Sequence, residues 1–344
     1  MRTDPEGRLG PTPGAARGRK WRRTSPGLFV PADAVFDQPG QRILEAWQRT
    51  GDASRVTGWA SLHLAGARWF EGSGARGELL PVQLRIGPDR RMANRPGLLL
   101  DRGRILEAET VTRHGVLCLN VHRSLFDEVV CRGELRSGVA AIDMVLHAEL
   151  TTRDRLRAWL GTVTRTPGLP LVRRALDLSV EGAESPPEVA LRLTWRGDAE
   201  LPEPLSNVPI HDRSGRFLGR PDLVCPELGV AAEYDGAHHL STSARSRDIT
   251  REGGLRDAGL EVVSVVGGEL WQRDLVVRRL HAAVQRVAAS TLPKAWVLHG
   301  PNGPAPDLAA RFDSHLSRMS RARREAALAD APLAVPGSSG VNMR

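Results

Sequence analysis

Arg220-Pro221-Asp222-Leu223-Val224-Cys225, then Pro226-Glu227-Leu228-Gly229, then Val230-Ala231-Ala232-Glu233-Tyr234-Asp235-Gly236 is the stretch that decides the fold of this chain. Two short apolar runs flank a turn marked by Pro and Gly, which is the pattern of neighbouring antiparallel strands. The first run is predicted to form one strand from Phe217 to Cys225. Pairing across the turn brings Asp222 and Glu233 to nearby register positions, and side-chain alternation decides the face each one takes.

Two carboxylates a few ångströms apart repel each other unless a positive charge neutralises them. A hard divalent cation does this best, and Mg2+ (or Mn2+) suits a site with few protein oxygens because it keeps several waters. Such an ion lowers the pKa of a bound water and stabilises charge on a phosphate, so the expected chemistry is phosphodiester hydrolysis. The bland alternative is a pair of surface acids at strand ends.

Pro221-Asp222, a ten-residue spacer and Glu233-Tyr234-Asp235 resemble the PD-(D/E)xK signature of the restriction-endonuclease-like superfamily. The continuation Gly236-Ala237-His238-His239 is similar to an actinobacterial family of domains of unknown function related to very-short-patch repair endonucleases. The resemblance runs from about Leu176 to Ala289. It implies an α/β fold, a restriction-endonuclease-like mixed sheet flanked by helices, in the order α-β-β-β-α-β-α. It also implies metal-dependent DNA cleavage, with Asp222 and Glu233 as metal ligands and Glu188 as an auxiliary acid. Asp235 stands where the signature has lysine, so activation of water falls to Asp235 and to His239, or else His238, with a neutral imidazole as general base.

Several of these residues carry a second meaning. Ser185-Pro186-Pro187-Glu188 is a capping box, with Ser185 as N-cap, Pro186 at the first helical position and Glu188 reaching back to the N-cap amide. Asp235-Gly236 is a favoured turn pair. Arg245, Arg247, Asp248 and Arg251 fall on a helix predicted over 243–258 and closed by Gly259, where a solvated face competes with phosphate contact.

The net charge of +8 on 344 residues favours a polyanionic partner, and the resemblance implies DNA before RNA. All basic residues except Lys20 and Lys294 are arginine, the better bidentate phosphate ligand. Cys118, Cys131 and Cys225 are too scattered for a zinc site or a disulfide framework, and no apolar run is long enough to span a membrane. The expected location is cytoplasmic.

The chain is expected to divide into a flexible start (1–20), an α+β region (21–165), the nuclease-like domain (166–290), and a linker with an Arg-rich helix and tail (291–344). Within the second part, Arg22-Arg23-Thr24-Ser25-Pro26-Gly27-Leu28-Phe29-Val30-Pro31 resembles the wing of type IV antitoxin-like winged-helix proteins. Helices are predicted over 41–50, with Ile43, Leu44 and Trp47 on one side, and over 57–67. Asn120 is expected to cap a third helix, and Thr151 or Thr152 another. Strands are predicted at 81–86, 97–100 and 116–119. The competing function is a catalytically inactive DNA-binding or antitoxin-like transcriptional regulator.

Overall fold

A computed structural model of the chain describes residues 1–298, apart from positions 9, 26, 36–37, 75–76, 94 and 237–252. The elements begin with a hairpin of β1 (Trp21–Ser25) and β2 (Leu28–Pro31). Helix α1 (Pro39–Thr50), β3 (Arg55–Val56) and α2 (Gly58–Leu64) follow, then β4 (Val82–Arg85), β5 (Leu98–Asp101), β6 (Thr110–Arg113) and β7 (Val116–Leu119). Four helices come next: α3 (Val121–Arg132), α4 (Leu135–His147), α5 (Arg153–Thr162) and α6 (Leu169–Leu178). The remainder comprises α7 (Pro186–Leu193), β8 (Leu205–Ser206), β9 (Ile210–Asp212), β10 (Phe217–Gly219), β11 (Leu223–Cys225), β12 (Val230–Asp235), β13 (Glu261–Val266), α8 (Arg273–Ala289) and β14 (Trp296–Val297).

These elements form two units. One contains Met1–Cys131 and Leu150–Leu169; the other contains Arg132–Glu149 and the described chain from Pro170 onward. The architecture is mixed α/β.

The first unit is built on a five-stranded mixed sheet in the order β5-β4-β3-β7-β6. Asn120 caps α3 by accepting from the Arg123 amide, and Thr152 caps α5 by accepting from the Arg155 amide. Helix α1 buries Ile43, Ala46 and Trp47, but Leu44 is 43% exposed and does not join them as expected. At about 100° per residue, Leu44 is turned well away from Ile43, whereas Trp47 lies only about 40° round from it. Arg85 bridges Asp101 at 2.6 Å and Asp127 at 2.9 Å, and Thr57 donates to Asp127 at 2.6 Å. Burial outweighs these contacts and pushes the Asp127 carboxyl up to about 6.

The second unit holds a four-stranded sheet in the order β13-β12-β11-β8 and a three-stranded sheet in the order β10-β9-β14. β8, β11 and β12 are antiparallel, and β13 joins β12 in parallel, after a crossover. One sheet face packs Leu223, Ala232, Val263 and Val265 against Leu191 and Trp195 and against Val276, Leu280 and Ala283 of α8. The other packs Val224, Ala231 and Val262 against Leu255, Ala258, Ile210 and Trp296. Covering both faces explains why β11 is apolar at every position rather than alternating. Each fully buried Leu or Val contributes about 1.5–3 kcal/mol of transfer free energy.

Three features differ from expectation or sharpen it. The strand predicted from Phe217 to Cys225 is broken at Arg220-Pro221-Asp222, and its halves join different sheets, because Pro221 lacks the amide that a continuous ladder needs. Helical residues 253–257 precede a Schellman ending, with Leu260 N bonded to Leu255 O and Gly259 N to Arg256 O. Gly259 has φ +82°, and a Cβ there would meet the Pro293 carbonyl oxygen at 2.7 Å. Finally, a buried ion pair links α4 to α7 within this unit, with Arg192 Nη2 2.9 Å from Asp143 Oδ2.

Candidate functional site

Asp222 stands immediately before β11, where Pro221 has interrupted the preceding strand. The β11–β12 register sets Leu223 opposite Ala232 and Val224 opposite Ala231. One further step sets Asp222 opposite Glu233, and alternation puts both on the face of Val224 and Ala231. Directly opposed residues have Cβ atoms about 4.5–5.5 Å apart. Asp222 Oδ2 accepts the Tyr234 amide at 2.7 Å, which fixes its carboxylate against β12. Oε1 of Glu233 is shielded from solvent. The parallel ladder aligns Glu233 with Ser264, and Asp235, exposed at the strand end, with Val266.

Glu188 is held by its own helix start. Ser185 donates to its Oε1 at 2.7 Å and accepts its amide at 3.5 Å, as a capping box requires. The return bond goes to the amide of Glu184 at 2.8 Å, one residue before the expected N-cap amide. Oε2 also accepts Asn207 Nδ2 at 2.7 Å, and the Asn207 amide donates to the Asp222 carbonyl at 2.9 Å. Glu188 is therefore both a capping residue and a neighbour of the acid pair through Asn207.

Residue-by-residue reading of the sequence left out three contributors. Arg220 makes a bidentate pair with Glu184, Nη1 to Oε1 at 2.6 Å and Nη2 to Oε2 at 2.9 Å. The Glu184 hydrogen bonds raise the Arg220 guanidinium above its usual value against the effect of burial, and the charges of Glu184, Glu188 and Asp222 add to this. Asn207 adopts φ +53°, a region that Asn tolerates better than most residues. The polar step Ser206-Asn207 between Leu205 and Val208-Pro209 was the available signal for it; Glu184 had none beyond preceding the capping box.

Two opposed carboxylates on one face are a donor set that fits Mg2+ or Mn2+, with water completing the coordination. Among the described residues, no group of three or more His, Cys, Asp or Glu side chains is placed to hold one metal ion. His238 and His239 lie outside the described residues, as do Arg245, Arg247, Asp248 and Arg251. No helix among the described residues is long and apolar enough to cross a membrane.

No protein-family profile, curated protein or solved structure matches this chain.

Proposed function

We propose that the chain is a divalent-metal-dependent endonuclease that hydrolyses phosphodiesters in DNA, with a restriction-endonuclease-like fold in its second unit. The observation that carries this reading is the register that opposes Asp222 and Glu233 on one face at a sheet end. The order of α7, β8, β11, β12, helical residues 253–257 and β13 supports the fold assignment, with the β9–β10 hairpin inserted between β8 and β11.

Asp222 and Glu233 would hold the cation, which when bound supplies a water of lowered pKa and stabilises charge on the phosphate. The Tyr234 amide keeps the Asp222 carboxylate oriented before any ion arrives, so little reorganisation accompanies binding. Asn207 ties Glu188 to the strand that carries Asp222. Arg220 screens the mutual repulsion of the acids. His239 is the proposed general base, with Asp235 helping to position water.

Two observations favour a second reading, a non-catalytic DNA-binding regulator. Arg220 already compensates part of the acidic charge from within the fold, and Asp235 occupies the position of the expected lysine. Supercoiled plasmid incubated with the protein and Mg2+ or Mn2+ separates the two. Nicking by the parent that is lost in Asp222→Ala and Glu233→Ala supports the nuclease. Equal inactivity of all three, with DNA binding retained, supports the regulator.

A further inference from the structure

The first unit presents a dense basic surface that the acid pair does not use. The connection between β4 and β5 carries Arg90, Arg91 and Arg95, and Arg102 and Arg104 follow β5 directly. All five are exposed. Arg90, Arg91 and Arg102, with Asp89 and Met92, line an open concavity of about 740 Å³.

The charge of this surface is not cancelled locally. Among the described residues, none of the five arginines forms an ion pair with a carboxylate. Arg90 Nη1 donates to the Thr50 carbonyl at 3.0 Å and Arg102 Nη2 to the Met92 carbonyl at 3.1 Å. Both keep further N–H donors beyond these bonds. Asp101, the last residue of β5, is occupied by Arg85 Nε at 2.6 Å and by the Gly103 amide at 2.8 Å. Among the described residues, Asp89 is then the one acid lining the concavity.

We propose that this surface binds the phosphate backbone of duplex nucleic acid without reading its sequence. Guanidinium forks match phosphate oxygens bidentately, and clustered exposed arginines set up the field that concentrates a polyanion. Among the described residues, those lining the concavity include no aromatic platform for an unstacked base and no Asn or Gln to read a base edge, which favours contacts to phosphates. Because it resides in the other unit, this surface stands or falls independently of whether Asp222 and Glu233 cleave.

The test is fluorescence anisotropy of a labelled mixed-sequence duplex with the full chain in EDTA, titrated over a range of KCl concentrations. Binding is then read without catalysis. Each phosphate contact contributes a slope of about 0.9 in log K against log salt. Arg91→Glu/Arg95→Glu/Arg104→Glu spares the two arginines bonded to backbone carbonyls. It is expected to weaken binding at least about tenfold and to flatten the slope by roughly two to three. The milder triple replacement by Gln should give the same direction with unchanged thermal stability. Affinity and slope equal to the parent in both variants overturn the proposal. So does charge-dependent binding to anionic phospholipid vesicles or polyglutamate with duplex binding untouched. A protein inactive on plasmid whose duplex binding still falls in these variants would sink the nuclease reading and uphold this surface.

Discussion

Arg192 and Asp143 meet at 2.9 Å with both side chains fully removed from solvent. Backbone groups and a second carboxylate complete the pair: Arg192 Nη1 donates to the Leu178 carbonyl at 2.9 Å and, more distantly, to half-exposed Glu203 Oε1 at 3.4 Å, and Asp143 Oδ1 accepts the Val180 amide at 3.0 Å. Removing one partner strands a buried charge, which costs about 3–5 kcal/mol, whereas replacing both with apolar groups of similar volume is often neutral. Asp143→Ala is expected to lower the stability of this unit by that amount, and Asp143→Leu/Arg192→Met to restore most of it. Urea unfolding midpoints check both, and a single variant as stable as the parent would show that the pair is not holding α4 in place.

Two buried groups of the first unit titrate in opposite senses over the same pH range. Burial, helped by the Arg155 charge, holds the His122 imidazole down at about 4, with Nε2 2.7 Å from Thr151 Oγ1. A lowered imidazole contributes stability above its unfolded value of 6.5 that is lost as pH falls through about 4. Asp127 runs the other way. Its carboxyl, raised from 3.8 to about 6, contributes stability below 3.8 that is lost as pH rises through about 6. Each shift corresponds to roughly 3 kcal/mol, so the two ramps largely offset each other in the parent. His122→Gln is expected to make the unit more stable on acidification from about pH 6 to pH 4. Asp127→Asn is expected to make it less stable over the same interval. Unfolding free energies at several pH values decide this through slopes, which constant packing losses do not alter; parallel curves for parent and variants would refute it.

The Arg220–Glu184 pair is exposed to 44% and 39%, and a pair so wet contributes less than about 1 kcal/mol to folding. Its electrostatic effect on the acids is the larger consequence. Arg220→Gln is expected to leave the melting temperature nearly unchanged while tightening Mn2+ binding about threefold to tenfold at low salt, since a competing cation has been removed. Calorimetric titration gives the affinity. Unchanged or weaker binding would mean that the ion does not sit in the field of Glu184, Glu188 and Asp222.

The hairpin that opposes Asp222 and Glu233 was legible in the sequence because strand pairing across a Pro/Gly turn is a local property. The caps at Asn120, Thr152 and Ser185 were legible for the same reason, since each needs only a short side chain and an amide three residues on. What escaped detection depends on chain segments far apart. Nothing around Arg220 announces that its partner is Glu184, 36 residues earlier. Arg192 lies on the stripe of α7 that faces the core, where a charged residue gives no periodic signal of its buried partner 49 residues away. The split of Phe217–Cys225 between two sheets was signalled by Pro221, yet apolar continuity on both sides favoured a single strand. The reach of the acid pair toward Asn207 depended on a left-handed backbone position that no alternation pattern reveals.

Helix α4 belongs to the second unit although α5, which follows it, belongs to the first. The chain thus leaves one unit, contributes a helix to the other, and returns before completing either. During synthesis the first unit therefore lacks α5 while the ribosome is already making a piece of its neighbour. Asp143 waits for Arg192 until 49 further residues have been added. A gene fragment beginning near residue 166 would yield a second unit whose buried arginine has lost the Asp143 carboxylate.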